Sequence, residues 1–154
     1  MRAPLVLVPA LILVCLDQGG KYLALQHIAP RGVIKVTDFF NLVLVHNYGA
    51  AFGFLNDPST TWQTWIFYLA TLVACVAVFF LARSSDGKDN FFLLALGLVL
   101  GGALGNLADR TRFGPVLDFL DFHYGDLHWP AFNVADIGIC AGAGLIALRI
   151  LRRR

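Results

Sequence analysis

Glutamate is missing altogether, so all ten acidic side chains are aspartates. Serine is confined to Ser59, in a turn-like stretch, and to Ser84 and Ser85, in a short polar loop. The three cysteines, Cys15, Cys75 and Cys140, lie singly within apolar runs. There they suit small buried hydrophobes, and they form neither a disulfide framework nor a metal-ligand spacing. His27, His46, His123 and His128 show no ligand spacing either. A serine or cysteine nucleophile is therefore poorly placed, and no metal or other cofactor is expected. Charge is scarce at 14% of residues, against about 25% in soluble domains. The net charge of +2 is too small and too scattered to suggest nucleic acid. Internal repeats and low-complexity segments are absent.

What is present is apolar. Hydrophobic residues make up 58% of the chain, and the mean hydropathy is +0.69. This composition predicts an integral membrane protein, and 154 residues predict one domain. A spanning helix needs roughly 20 mostly apolar residues. Four stretches qualify, at about 4–25, 62–82, 90–109 and 132–150. The first imitates a secretory leader, with Arg2 ahead of an apolar core, and even a lipoprotein leader, because Cys15 follows. However, Val14 stands where cleavage wants a small residue, and Asp17 and Lys21 continue the helical stretch, so a retained helix is expected. With four spans both termini share one side. Seven basic residues (Arg2, Arg83, Lys88, Arg149, Arg152, Arg153 and Arg154) lie there, against Lys21, Arg31, Lys35, Arg110 and Arg112 on the other. The positive-inside rule therefore predicts cytoplasmic termini.

The long outer connection, 26–61, begins with VIKVTDFFNLVLVHN, whose β-branched and aromatic residues predict one or two strands. GAAFGFLNDPSTTW follows, with glycine and proline punctuation and then a short interfacial helix. Trp62, Trp65 and Trp129 suit an aromatic belt at the outer interface.

Polar residues recur at one depth. Counting 1.5 Å per helical residue, Arg2 to Asp17 is roughly 22 Å, Asn90 to Asn106 roughly 24 Å, and Asp136 to Arg149 roughly 20 Å. Asp17, Asn106 and Asp136 thus fall at similar heights in the outer part of the membrane. An ionisable group inside a membrane usually has a partner or a function. Asp17 and Lys21 share a helix face at i,i+4. Gly102, Asn106 and Arg110 share another, with Asp109 beside it, and Asn133 and Asp136 a third. Each feature also has a plainer reading. Asp17–Lys21 and Asp109–Arg110 suit neutralised pairs, and Asn133 suits an N-cap with Asp136 in the first turn. The small-residue ridges Gly97–Gly101–Gly105 and Gly138–Gly142 allow close helix packing. They are expected to bring the third and fourth helices together, and with them the short connection 110–131.

With nucleophiles poorly placed, a pair of aspartates remains. Two carboxylates in contact share a proton, because both cannot ionise cheaply. One then takes a proton from water while the other donates to a scissile carbonyl. Asp136 is one partner by depth. Asp118 is preferred to Asp121 as the second, although spacing barely separates them.

The segments DQGGK (17–21), HNYGAAFG (46–53), GGALGNLADR (101–110), VLDF (116–119) and FNVAD (132–136) together resemble the ordered motif set of lipoprotein signal peptidase, or signal peptidase II. The resemblance covers essentially the whole chain. It implies an all-α membrane protein of four transmembrane helices with a small extracytoplasmic β-element and a short interfacial helix. It also implies an aspartic endopeptidase of the bacterial inner membrane, with its site towards the outer leaflet. Such an enzyme cuts diacylglyceryl-modified prolipoproteins just before the lipidated cysteine, and globomycin-type antibiotics inhibit it. By motif, Asp118 and Asp136 match the catalytic pair. Asp17, Lys21, Asn47, Gly102, Asn106, Asp109, Arg110, Asn133 and Ala135 match positions that shape the site or bind substrate. Gly19 and Gly20 depart from the family, where bulkier residues are usual. A monomer in contact with membrane lipid is expected. A proton relay or small transporter, and a scaffold whose charges only pair helices, are the rival readings. A transporter predicts polar groups through the full membrane thickness, whereas here the second span and the inner halves of the others are apolar.

Overall fold

A computed structural model of the chain describes residues 3–49, 62–85 and 89–152. Four helices, α1 (Pro4–His27), α2 (Trp62–Ser84), α3 (Asn90–Phe113) and α4 (Val134–Arg152), are each long and apolar enough to cross a membrane. The expected interfacial helix, and Arg2, Lys88, Arg153 and Arg154, fall outside the described residues.

α3 is the central helix, packed against α1, α4 and α2. At one end its N-cap Asp89 accepts from the Phe92 amide and pairs with Arg149 near the end of α4. The Arg149 guanidinium also lies over the Phe92 ring. Above this pair Val6, Val78, Ala82, Phe92, Leu93 and Leu96 form an apolar core.

The glycine ridges act only in part as the sequence suggests. A methyl group on Gly97 or Gly101 would strike the backbone of Val6 or Ala10, and one on Gly105 would meet Asp17. This ridge therefore seats α1, not α4. α3 and α4 meet instead through Gly102, which faces the Ala135 carbonyl and Ile139, and through Gly142, which faces Ala95 and Val99. The sequence pattern shows that something approaches closely, but not which helix.

At the other end lies a four-stranded antiparallel sheet, β1 (Ile34–Lys35), β2 (Phe40–Asn47), β3 (Val116–Tyr124) and β4 (Leu127–His128), in that spatial order. The strands expected in 33–47 are β1 and β2. The segment read as a short connection between spans supplies β3 and β4. β3 lacks clean alternation because Val116 through Phe119 are all buried. Phe119 packs with Ala24 of α1 and with Ile28 just past its end, and β2 pairs along the edge of β3.

Candidate functional site

The site lies where the sheet meets the C-terminal ends of α1 and α3 and the start of α4. Asn133 precedes α4, and its Oδ1 accepts from the Asp136 amide at 3.0 Å. Asp136 Oδ2 in turn accepts from the Asn133 amide at 3.2 Å. This reciprocal arrangement is a capping box. The plain reading of FNVAD as a helix cap therefore holds, and the same cap fixes where the Asp136 carboxylate points. Asp136 Oδ1 accepts from Asn106 Nδ2 of α3 at 2.8 Å.

Asp118 comes from β3 and is 2% exposed. Its Oδ1 accepts from Asn133 Nδ2 at 2.6 Å, and its Oδ2 from Asn47 Nδ2 at 3.0 Å. Asn133 thus bridges both aspartates. Burial, reinforced by the nearby charge of Asp136, pushes the Asp118 carboxyl up to about 7, against the opposing bonds from Asn47 and Asn133. Asp121 differs. Burial would raise its carboxyl, but bonds from His128 and Asn41 outweigh that and hold it below the ordinary carboxylate range. Asp121 therefore has its own partners and takes no part in the Asp118–Asp136 cluster.

Beneath the two aspartates is a buried ion triad. Lys21 Nζ lies 2.7 Å from Asp17 Oδ2 and 2.7 Å from Asp109 Oδ2. Its third donor reaches Asn106 Oδ1 at 3.2 Å, so all three ammonium protons have acceptors. Asn106 Oδ1 also accepts from Asn133, which orients the Asn106 amide nitrogen towards Asp136. Asp109 pairs with Lys21, not with Arg110 as the plainer sequence reading had it. Arg110 Nη2 instead donates to the Gly49 carbonyl at 2.9 Å, and its guanidinium lies 3.9 Å from the centre of the Phe67 ring. It stands within electrostatic reach of Asp136, Asp118 and Asp109. Gly102 and Ala135 pack against each other, and Ala135 brings its backbone amide to Asp17.

A family model described as Signal peptidase (SPase) II matches residues 9–152. The chain belongs to the signal peptidase II family. A protein named Lipoprotein signal peptidase from Oleidesulfovibrio alaskensis is 46% identical over 146 residues, 94% of this chain and 93% of that protein. One of the same name from Nitratidesulfovibrio vulgaris is 47% identical over 154 residues, 99% of this chain and 93% of that protein. A solved structure described as a bacterial membrane enzyme is 30% identical, with a TM-score of 0.80 over 96% of this chain and 92% of that one. Four candidate spans in such a family make this signal peptidase II relative a multi-pass membrane protein.

The sequence reading did not single out Gln18, Gly49, Phe67, Tyr68 or Arg112, all of which contact the cluster. Gln18 Nε2 lies 2.8 Å from Asp109 Oδ1 and 3.2 Å from Asp17 Oδ2, and its Oε1 accepts from Arg112. Tyr68 donates to the Arg110 carbonyl. Gln18 stands inside DQGGK, one residue from Asp17, so its place in the motif was a usable signal. Phe67 and Tyr68 lie in the featureless second span and gave none.

Proposed function

We propose that this chain is an aspartic endopeptidase that removes signal peptides from diacylglyceryl-modified prolipoproteins, cutting just before the lipidated cysteine. It would act as a single domain in the bacterial inner membrane, its site open towards the outer leaflet. The observation that carries this reading is the Asp118–Asp136 pair. The two carboxyls share one asparagine, and the more buried one is pushed into the neutral range by burial and by its neighbour's charge.

The chemistry follows from that asymmetry. Asp118 holds the proton, and Asp136, at the start of a helix whose dipole favours negative charge, takes a proton from water. The water oxygen bonds to the scissile carbonyl carbon while Asp118 protonates the carbonyl oxygen. The gem-diol intermediate then collapses: the C–N bond breaks as Asp136 returns its proton to the leaving nitrogen, and Asp118 takes back a hydroxyl proton as the new carboxyl C=O forms, which restores the starting protonation of both aspartates. Cys15 and Cys140 are exposed on the outside of the bundle, away from this cluster. The apolar core that closes the opposite half of the bundle favours a one-sided site over a relay.

Asp17, Lys21, Asn47, Gly102, Asn106, Asp109, Arg110, Asn133 and Ala135 shape this site or face the substrate. Bound lipid, globomycin-type inhibition and a monomeric state belong to the same reading. The test is cleavage of a diacylglyceryl-modified prolipoprotein by purified protein in liposomes. Wild type is expected to cut before the lipidated cysteine, and folded Asp118→Asn and Asp136→Asn to be inactive. Near-normal turnover in either variant would make that aspartate structural, and no cutting by folded wild type would overturn the peptidase reading.

A further inference from the structure

An i,i+4 pair of Asp17 and Lys21 would be neutral and complete by itself. The triad adds a second buried carboxylate, which a purely charge-balancing arrangement does not need. Each carboxylate also accepts a backbone N–H. Asp17 Oδ1 accepts from the Ala135 amide at 2.9 Å, and Asp109 Oδ2 accepts from the Leu117 amide at 3.0 Å. Ala135 immediately precedes Asp136, and Leu117 immediately precedes Asp118. The Ala135 amide is one of the orphan donors of a helix's first turn, and here its acceptor comes from another helix. Lys21 clamps both carboxylates at 2.7 Å, and Gln18 bridges them from the other side. Gly105 gives Asp17 the room to lie against α3, since a methyl group there would be 2.8 Å from Asp17 Oδ2.

We propose that Asp17 and Asp109, joined through Lys21 and Gln18, are positioning residues that set the separation of Asp118 and Asp136 by holding the backbone one residue before each. This rests on the peptidase reading above. The two aspartates come from different elements, a strand and a helix start, and nothing covalent fixes their spacing. Proton sharing between carboxyls depends steeply on separation, and a displacement of about 1 Å in a catalytic group can cost roughly 100-fold in rate. The triad makes no bond to the reacting carboxylates. It acts on them through the main chain, through Asn106, and through the charge of Lys21 on Asp118.

The experiment uses the full chain in liposomes, with Asp17→Ala, Asp17→Asn, Asp109→Ala and Asp109→Asn beside wild type. Backbone hydrogen exchange is read together with kcat, KM and the pH profile on a diacylglyceryl-modified prolipoprotein. Asp17→Ala is expected to speed exchange at 134–136, and Asp109→Ala at 116–118. Each is expected to lower kcat about 10- to 100-fold with KM within about twofold. The two limbs of the kcat profile should draw together, because carboxyls further apart repel each other less. Asp109→Asn keeps the oxygen on which the Leu117 amide and Lys21 converge and should recover most of the loss, whereas Asp17→Asn can serve the Ala135 amide only by turning its nitrogen towards Lys21 and should recover less. Folded alanine variants that keep kcat, or that lose it with wild-type exchange and an unmoved pH profile, overturn the assignment. Where an alanine variant does not fold, Asp109→Asn decides: folded, with kcat down more than about tenfold, it counts against the acceptor role. Wild type that cuts nothing overturns the peptidase reading and this assignment together, whereas wild type that cuts beside unaffected variants overturns the assignment alone.

Discussion

Asp118 carries a cost in stability that its proposed role requires. Its carboxyl is raised to about 7 in the folded chain, by burial first and by Asp136 second. Between the ordinary carboxylate value and about 7 the folded state binds more protons than the unfolded one, so stability falls as pH rises through that window and levels off above it. Asp118→Asn removes the titration. It also leaves one amide donor facing an amide donor, since Asn47 and Asn133 both present nitrogen to Asp118 and have their oxygens committed to Gly49 and Asp136. That second cost does not change with pH. The difference in stability between variant and wild type is therefore expected to move in the variant's favour by roughly 2–3 kcal/mol between pH 5 and pH 8, read as melting temperatures in detergent. A constant difference across that range would mean that Asp118 does not titrate there. Asp118 and Asp121 also mark the limit of reading residues from sequence. Both sit in VLDFLDF, and a spacing of three puts them on opposite faces only if the segment is a strand. The aspartates of FNVAD and DQGGK were legible because their helices were.

At the scale of elements, α1 runs unbroken from Pro4 to His27 through Gly19 and Gly20, so the departure of these two residues from the family pattern does not interrupt it. The two glycines differ in surroundings. A methyl group at Gly19 would meet nothing within 4 Å, whereas one at Gly20 would lie 3.0 Å from the Phe119 ring. Gly19→Ala is expected to stabilise the protein by about 0.5–1 kcal/mol, the usual penalty of a helical glycine, with turnover unchanged. Gly20→Ala forfeits that gain, because Phe119 must yield and Phe119 adjoins Asp118. Thermal unfolding of the two variants side by side checks the contrast, and equal stabilisation would mean that the Phe119 contact is slack. The four helices and the first two strands were readable because each has one dominant signal, apolar length or a β-branched run. β3 was not, because its residues 116–119 are buried throughout and the period of two is lost. The partner of the Gly97–Gly105 ridge was not readable either, because small residues mark a close approach without naming the neighbour.

For the whole molecule the question is which way the bundle faces. The Asp118–Asp136 cluster and the sheet occupy one end, and the Asp89–Arg149 pair and Arg83 the other. The basic residues divide seven to five in favour of the terminal side, which predicts that this side is cytoplasmic. A green fluorescent protein fused after Arg154 should then fluoresce. Alkaline phosphatase inserted at Gly125 should be active, since that turn joins β3 to β4 at a positive φ of 57° beside the 86%-exposed Tyr124. Activity of these reporters with their locations exchanged would put the carboxylate pair at the cytoplasmic face. A substrate lipid anchored in the outer leaflet could not bring its peptide to that face without crossing the apolar half of the bundle. Val6, Val78, Leu93 and Leu96 close that half. The proposed cleavage therefore requires this orientation, and the fusion pair tests that requirement without any cleavage assay.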